Sequence, residues 1–594
     1  MNLRRAFVCV MMITLIMLLL AAQLFLLQIV QYDRYSARRL DLTARSVMQR
    51  ARGIVLDDGR GRILDRAGRP MTGFPIHALG VEPSKAVPWL DSHKEIRGEL
   101  LRILQLSADD WDTAVDHSVG LVLMEKDGRP IALSREQTEA ITQFNIPGLS
   151  IVPYVRRYQQ PYIAAHAIGY ISQDPERLKQ LYAEKLADGS IQLHTQLGAS
   201  GLERAFEKVL HSRGQLTLNR FTDAVGRPLS GLDRRLITRG GSMYPLQVVT
   251  TLDFALQRRI EQLLEDKGIA EASVVLLDAA NADVLVMANR PTYNPEHPDP
   301  YSHEWRNLAI QQQVPGSIFK LVVAAAALEY GVVSPRENFV CNGEYGKYGF
   351  SCWKKGGHGH LTMEEAFAVS CNLTFAELAK RITPEQLQHM ALKLGIGRTI
   401  GWEGQSQAAA SGLLRQFDLE QAGQVFAAGV HIDEGVMLQT AIGQRDVRMT
   451  PLAAANLLVT LLNGGSLTSP RIVSEVRYKD GAVKERYPVR RFKDEGVSRS
   501  TAYKLTRYMR KTVQYGTASM MNDHEWHLAG KTGTAQLASR DHRVNEWFIG
   551  YGPAEKPLVA AAIVIYNVPD DGRNQAARLF TEVMDIVREA REQG

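Results

Sequence analysis

Cysteine is scarce in this chain, with four in 594 residues. Cys9 lies in an apolar N-terminal stretch. That leaves Cys341, Cys352 and Cys371, and an odd number cannot all pair within one chain. A basic block is also missing. The 70 Lys and Arg against 64 Asp and Glu give a net charge of +6 spread along the whole length. Nothing in it resembles the concentrated footprint of a nucleic-acid binder. No repeat or low-complexity stretch appears between Asp33 and Arg239, and no tandem repeat module follows the last helical pattern. What is present is ordinary for a folded protein: 45% hydrophobic and 23% charged residues. A chain this long is expected to carry two or more domains, each with its own core.

Ala6 to Val30 holds no charge and is rich in Leu, Met, Ile and Val. At about 1.5 Å per residue it can cross a bilayer core of about 30 Å. It is longer than the apolar part of a cleaved signal and lacks a small-residue cleavage site after it. The spacing therefore predicts an uncleaved single anchor over 6–30, with a short tail at 1–5. Arg4 and Arg5 flank one side and Arg34, Arg38 and Arg39 the other, so charge alone leaves the orientation open.

From 33 to 240 the chain is polar, with short apolar stretches and many turn signals. Arg60 to Gly68 reads as a strand between glycine-bounded turns, and Gly201-Leu202-Glu203 leads into a helical pattern through Leu210. His166 is a lone histidine, more consistent with a structural role than a catalytic one. The second part, 245–594, begins with Val248 to Asp253, a strand running to a helix cap. Ser273–Leu277 and Asp283–Ala288 suggest a hairpin whose turn lacks the usual glycine. Strand-like segments return at 531–533, 547–551 and 558–566, and an amphipathic helix runs from Asn574 to Arg591. Strands on both sides of a helical block predict one α/β domain whose sheet is assembled from both ends of the sequence.

Between those strands, Pro315-Gly316-Ser317-Ile318-Phe319-Lys320 precedes the apolar run Leu321–Leu328. Pro-Gly marks a turn and the run is long enough for a buried helix. Ser317 then sits at the helix start, with Lys320 three residues on along the same face. A lysine kept partly neutral can take the serine's proton, and unpaired N–H groups at the helix start suit a developing oxyanion. Ser-x-x-Lys alone is weak: Ser351-Cys352-Trp353-Lys354 also matches, but it runs into Gly356-Gly357 and reads as loop. The signal strengthens with Ser370-Cys371-Asn372 between two helical patterns and Lys531-Thr532-Gly533 on a strand.

Ser-x-x-Lys, Ser-x-Asn and Lys-Thr-Gly in that order resemble the penicillin-binding DD-transpeptidases and serine β-lactamases. With the anchor, the Arg60–Gly68 patch, Gly201-Leu202-Glu203, Gly443-Gln444, Thr450-Pro451-Leu452 and Trp547-Phe548-Ile549-Gly550, the chain is most similar to class B, monofunctional penicillin-binding proteins. It departs from their pattern at Arg306-Asn307-Leu308-Ala309 and at Asn281-Ala282. The resemblance implies an anchor helix, an elongated α+β pedestal of the dimerisation type, and a transpeptidase domain. That last domain has an antiparallel sheet with helices on both faces plus a helical subdomain. It also implies that Ser317 attacks the D-Ala–D-Ala carbonyl of a peptidoglycan stem peptide, with Lys320 as base. Ser370 relays a proton, Asn372 holds the substrate amide and orients Lys320, and Lys531 adds positive field. Thr532, Gly533 and Thr534 bind the terminal carboxylate, and the N–H groups of Ser317 and Thr534 form the oxyanion hole. β-Lactams are the implied inhibitors, and no cofactor is required for the chemistry. The implied partner is a multi-spanning membrane polymerase of glycan, and the implied location of the catalytic domain is outside the cytoplasmic membrane.

Two rivals share some of these residues. A class A β-lactamase needs a Glu-x-x-Leu-Asn pattern, which is missing. A non-catalytic scaffold does not need an intact Ser317, Lys320, Ser370, Asn372 and Lys531. One cluster stands apart: Cys341, Cys352, His358 and Cys371 form Cys-x10-Cys-x5-His-x12-Cys. Three thiolates and an imidazole are a structural zinc set. His360 is an alternative ligand, and a Cys341–Cys352 disulfide is the competing arrangement.

Overall fold

The computed structural model describes residues 3–26, 29, 51–116, 120–188, 190–212, 214–221, 235–238, 241, 243–299, 301–334, 336–407, 412–537 and 542–593. A helix over Leu3–Phe25 carries the apolar run, and its span Phe7–Phe25 has no buried residues. It is long and apolar enough to cross a membrane. Residues 27, 28 and 30 of the expected anchor, and Arg34, Arg38 and Arg39, lie outside the described residues.

The segment after the anchor is built from small elements. A sheet formed by Phe74–Val81, Leu149–Arg156 and Val122–Leu123 is covered by helices such as Pro83–Ser92 and Lys94–Leu104. Their core holds Leu79, Val81, Leu90, Leu100 and Trp111. The helix expected through Leu210 is broken at Phe206 into Gly201–Ala205 and Glu207–Leu210. Around that break the motifs singled out above converge. Arg60 donates to Glu203 at 2.8 Å and to Glu207 at 2.7 Å, and Arg157 donates to Glu203 at 2.7 Å, all with little or no exposure. The strand Arg62–Leu64 then pairs in parallel with Gln247–Thr250, tying this segment to the next.

The larger part of the chain is organised by a five-stranded antiparallel sheet. Its order is Val284–Arg290, Ala272–Asp278, Val559–Pro569, Arg543–Gly552, Ala529–Gln536. Strands from both ends of the sequence thus lie side by side, as the pattern predicts. The hairpin turn manages without glycine because Ala282 takes φ 61°, a left-handed conformation. Successive side chains on a strand point to opposite faces. Val274, Leu276, Phe548 and Ile563 join one core with the helices Phe254–Asp266 and Gln575–Glu592. Val275, Leu277, Trp547 and Ile549 join the other, with Lys320–Glu329 and Pro451–Leu462. Both faces are covered, so these antiparallel strands read as nearly continuous apolar runs. Lys320–Glu329 is apolar all round because it is enclosed on every side. The strand Ala529–Gln536 is the sheet edge, and its free side faces the site.

Candidate active site

Ser317 lies in a 3-10 turn, Gly316–Phe319, that feeds directly into the helix Lys320–Glu329. In that geometry residues i and i+3 eclipse, which brings Ser317 and Lys320 to one side. Gly316 is required here twice over. Its φ is 59°, and a Cβ on it would stand 2.3 Å from the Thr534 carbonyl oxygen. The close approach of that turn to the edge strand is what sets the serine against Thr534. Gly533 serves the same approach, since a Cβ there would meet Ile318 and the Pro315 carbonyl at 2.9 Å.

Lys320 is completely buried. Its Nζ donates to the Ser370 carbonyl at 2.8 Å, to Ser370 Oγ at 3.1 Å and to Asn372 Oδ1 at 2.7 Å. Burial pushes its pKa down from 10.5 to about 7, against the opposing pull of the Cys371 and Cys352 thiols. The amine is thus partly neutral near pH 7. Ser317 is half-buried, and its hydroxyl has no hydrogen-bond partner among the described residues. It is available to a ligand.

Ser370 and Asn372 are delivered by a tight link between the helices Met363–Ala368 and Asn372–Lys380. The link closes with Ser370 in the left-handed region at φ 55°, and the Cys371 N–H donates to the Ala366 carbonyl at 2.8 Å. Asn372 also donates through Nδ2 to the Ser351 carbonyl at 3.1 Å, which fixes its amide orientation.

Lys531 is the second fully buried lysine, and its Nζ donates to the Thr532 carbonyl at 3.0 Å. Its pKa is pushed well down, first by burial and then by repulsion from Lys320. The rings of Phe375 and Phe367 stand 5.5 and 5.8 Å from the two amines, where ring faces favour cations. On the edge strand, the Thr534 carbonyl accepts from Gln444 Nε2 at 3.2 Å, away from the neighbouring strand. In an antiparallel strand the N–H and C=O of one residue leave on the same side, so the Thr534 N–H also faces the cleft. Thr517 shares a 2.7 Å hydrogen bond with Thr532 and lines the cleft. Sequence reasoning missed Thr517, which no motif marks and which arrives from a separate turn. The cleft is about 740 Å³ and is lined by Ser317, Ser370, Asn372, Thr532, Gly533 and Thr534 among others.

The second Ser-x-x-Lys match, at Ser351–Lys354, is loop as expected, on the cleft rim. His166 is buried, bonds the Glu304 carbonyl at 2.8 Å, and is pushed down by burial to a pKa of about 4. It is a structural histidine far from these residues in role. The ligating atoms of Cys341, Cys352, His358 and Cys371 come within 4.8 Å of one another. All three are free thiols in this structure. His358, not His360, is the histidine in the cluster; His360 is exposed on the neighbouring strand Gly359–Thr362.

Comparison with known proteins adds three findings. Residues 272–585 match the family described as penicillin binding protein transpeptidase domain, and residues 57–244 match the penicillin-binding protein dimerisation domain. Peptidoglycan D,D-transpeptidase MrdA of Acinetobacter baumannii is 26% identical over 98% of this chain and 87% of its own length. Stage V sporulation protein D of Bacillus subtilis is 27% identical over 87% of this chain and 75% of its own. The fold is similar, with a TM-score of 0.68 and 23% identity over 98% of each chain, to a chain in a solved structure described as "Structural coordination of polymerization and crosslinking by a peptidoglycan synthase complex".

Proposed function

The chain belongs to the penicillin-binding protein transpeptidase family, whose model covers more than half of it, and from that membership we infer that it is a serine D,D-transpeptidase of peptidoglycan. It is an acyl-transferring enzyme that forms a serine acyl-enzyme, and it is open to covalent inhibition by β-lactams. Such transpeptidases need no cofactor for this chemistry. The observation that carries the residue roles is the buried, partly neutral Lys320 held between Ser370 and Asn372.

Ser317 Oγ loses its proton to Lys320 as it attacks the carbonyl of the penultimate D-Ala. The N–H groups of Ser317 and Thr534 meet the developing oxyanion. Ser370 stands within hydrogen-bond reach of Lys320 and passes the proton to the departing D-Ala amine. Thr532 and Thr534 bind the terminal carboxylate, with Lys531 supplying field from beneath. An amine of a neighbouring stem peptide then takes the acyl group and regenerates Ser317. Ser317→Ala is expected to lose fluorescent-penicillin labelling while remaining folded. Stoichiometric labelling of that variant overturns the assignment.

The apolar helix supports a single-pass membrane protein; we propose residues 33–240 as pedestal and 245–594 as the transpeptidase domain, the latter outside the cytoplasm, where stem peptides are cross-linked. Protease added to intact spheroplasts is expected to remove the C-terminal helix; its full protection refutes the orientation. A multi-spanning glycan polymerase is the partner proposed for this enzyme, in keeping with the likeness to a chain of a peptidoglycan synthase complex.

The cysteine cluster fits zinc. At metal–ligand distances of about 2.3 Å for sulfur and 2.0 Å for nitrogen, a tetrahedral site places N and S about 3.5 Å apart. Cys341 Sγ and Cys352 Sγ lie 3.6 and 3.4 Å from His358 Nδ1. Cys352 is pushed well below the usual thiol range, chiefly by the hydrogen bond it receives from Cys371. A bound ion would supply a structural pin between the loop bearing Cys341 and Cys352 and the Ser370–Asn372 link. Metal analysis with thiol counting tests this; metal-free protein with three reactive thiols overturns it.

A further inference from the structure

The cleft continues beyond the residues that the reaction uses. Past Thr534 its wall is formed by Gln536 and then by Asp570, Arg573 and Arg578. Asp570 and Arg573 come from the connection between the strand Val559–Pro569 and the helix Gln575–Glu592, and Arg578 from the first turn of that helix. Strand register carries that connection to the end of the edge strand, because Gln536 pairs with Val544 and Arg543 pairs with Pro569. The backbone there is well anchored. Asn574 caps the helix by accepting from the Ala577 N–H at 2.8 Å and donates to the Gly533 and Trp547 carbonyls at 3.3 Å. Glu546 accepts from the Gln575 N–H at 2.6 Å, and Asp571 accepts from the Arg573 N–H at 2.8 Å.

Two side chains on this anchored frame are unengaged. Arg573 and Arg578 are exposed, and neither guanidinium has a hydrogen bond or ion pair among the described residues. Arg588, further along the same helix, meets Glu525, Asp585 and Glu592. Two free guanidiniums facing one cleft, near a helix N-terminus, form a field suited to a carboxylate.

The direction of the substrate places a carboxylate there. This step rests on the D,D-transpeptidase reading above. With the terminal carboxylate at Thr532 and the scissile carbonyl at the Thr534 N–H, a donor peptide lies extended along the edge strand. It advances about 3.3 Å per residue. The residue before D-Ala–D-Ala then lies beside Gln536, and its side chain points past it to the 570–578 wall. In a stem peptide that residue carries the amine used in cross-linking. A carboxylate beside that amine is what the arginines would detect.

We propose that Arg573 and Arg578 form a donor-specificity subsite that binds a free carboxylate on the side chain preceding D-Ala–D-Ala, with Asp570 facing the ammonium of the same group. The subsite selects a side chain ending as an amino acid over one ending as a simple amine or an amide.

The test uses the full-length protein in detergent and three acyl-donor peptides ending in D-Ala–D-Ala. They differ only in the preceding side chain: amine with carboxylate, amine with carboxamide, and amine alone. D-Ala release gives kcat/KM. The wild type is expected to favour the carboxylate donor about tenfold over the carboxamide. The double variant Arg573→Gln/Arg578→Gln is expected to converge on the carboxamide value for all three donors. Arg573→Lys alone is expected to keep part of the preference, because it keeps the charge. Fluorescent penicillin, which carries no such side chain, reports whether Ser317 is intact in each variant. Loss of penicillin acylation by the wild type overturns the transpeptidase reading itself. Normal penicillin acylation with no donor preference in the wild type, or a preference that survives in the double variant, overturns the subsite alone.

Discussion

The pH dependence of acylation follows from the burial of one amine. Lys320 has no exposure, and the loss of water lowers its pKa from 10.5 to about 7. That shift corresponds to about 5 kcal/mol of preference for the neutral amine over the ammonium. A base with this pKa is about one tenth neutral at pH 6, half neutral at pH 7 and about nine tenths neutral at pH 8. The second-order rate of penicillin acylation, measured by stopped flow from pH 5 to 10, is therefore expected to rise tenfold per unit up to about pH 7 and then level off. Lys531 lies beside Lys320 and is also pushed down, so the inflection belongs to the pair of amines. A lysine with its ordinary pKa behaves differently, because the rate climbs tenfold per unit through pH 9. A log-linear climb of that kind, or a rate independent of pH below 7, refutes the assignment of a desolvated Lys320 as the base.

Lys320→Met is expected to abolish acylation and yet to unfold later in urea than the wild type at pH 7, by an amount on the order of 4 kcal/mol. The folded protein binds fewer protons here than the unfolded chain between pH 7 and 10.5, so wild-type stability rises with pH across that window. The variant's advantage should shrink accordingly, and equal stability at pH 7 argues against a desolvated amine. Gly316→Ala is expected to slow acylation at least a hundredfold, since the added methyl would sit 2.3 Å from the Thr534 carbonyl oxygen and push the turn off the edge strand; a rate within twofold of wild type contradicts that close approach. Glu203→Gln is expected to cost about 3–5 kcal/mol in urea unfolding, because it leaves Arg60 and Arg157 buried against a neutral amide; an unchanged midpoint shows that Glu207 alone balances both.

The motif residues that the structure brings to one cleft were legible because each spacing is local. Ser317 and Lys320 share one turn, Ser370 and Asn372 share one link, and Lys531 to Thr534 share one strand, so each spacing is written in consecutive residues. The sheet was legible for a related reason. Strands buried on both faces, such as Ala272–Asp278 and Val559–Pro569, announce themselves as apolar runs whatever their partners. The pedestal was harder. Helices such as Pro83–Ser92 and Arg135–Gln143 bury one or a few residues each, which leaves a faint period in a polar background. The helix through Leu210 was misread as continuous, because Phe206 keeps the apolar spacing while its backbone leaves the helical region at φ −103° and ψ 20°.

What the sequence could not display is the part of the site made by convergence. Thr517 reaches Thr532 from a turn, and the 570–578 wall reaches Gln536 across two strand registers. Neither spacing repeats along the chain. The same holds for the charge balance. Two lysines 211 positions apart in number become neighbours, among the described residues no carboxylate is hydrogen-bonded to either, and burial pushes both pKa values down while Lys320 pushes that of Lys531 further. A carboxylate placed between them would restore their ordinary pKa values and remove the base. On the proposed reading, the terminal carboxylate of the stem peptide is the anion that enters beside Lys531, where it would favour the charge on Lys531 while Lys320 receives the proton of Ser317. On that reading substrate binding and nucleophile activation would be coupled through a pair of buried amines, which a free serine and lysine in solution could not achieve.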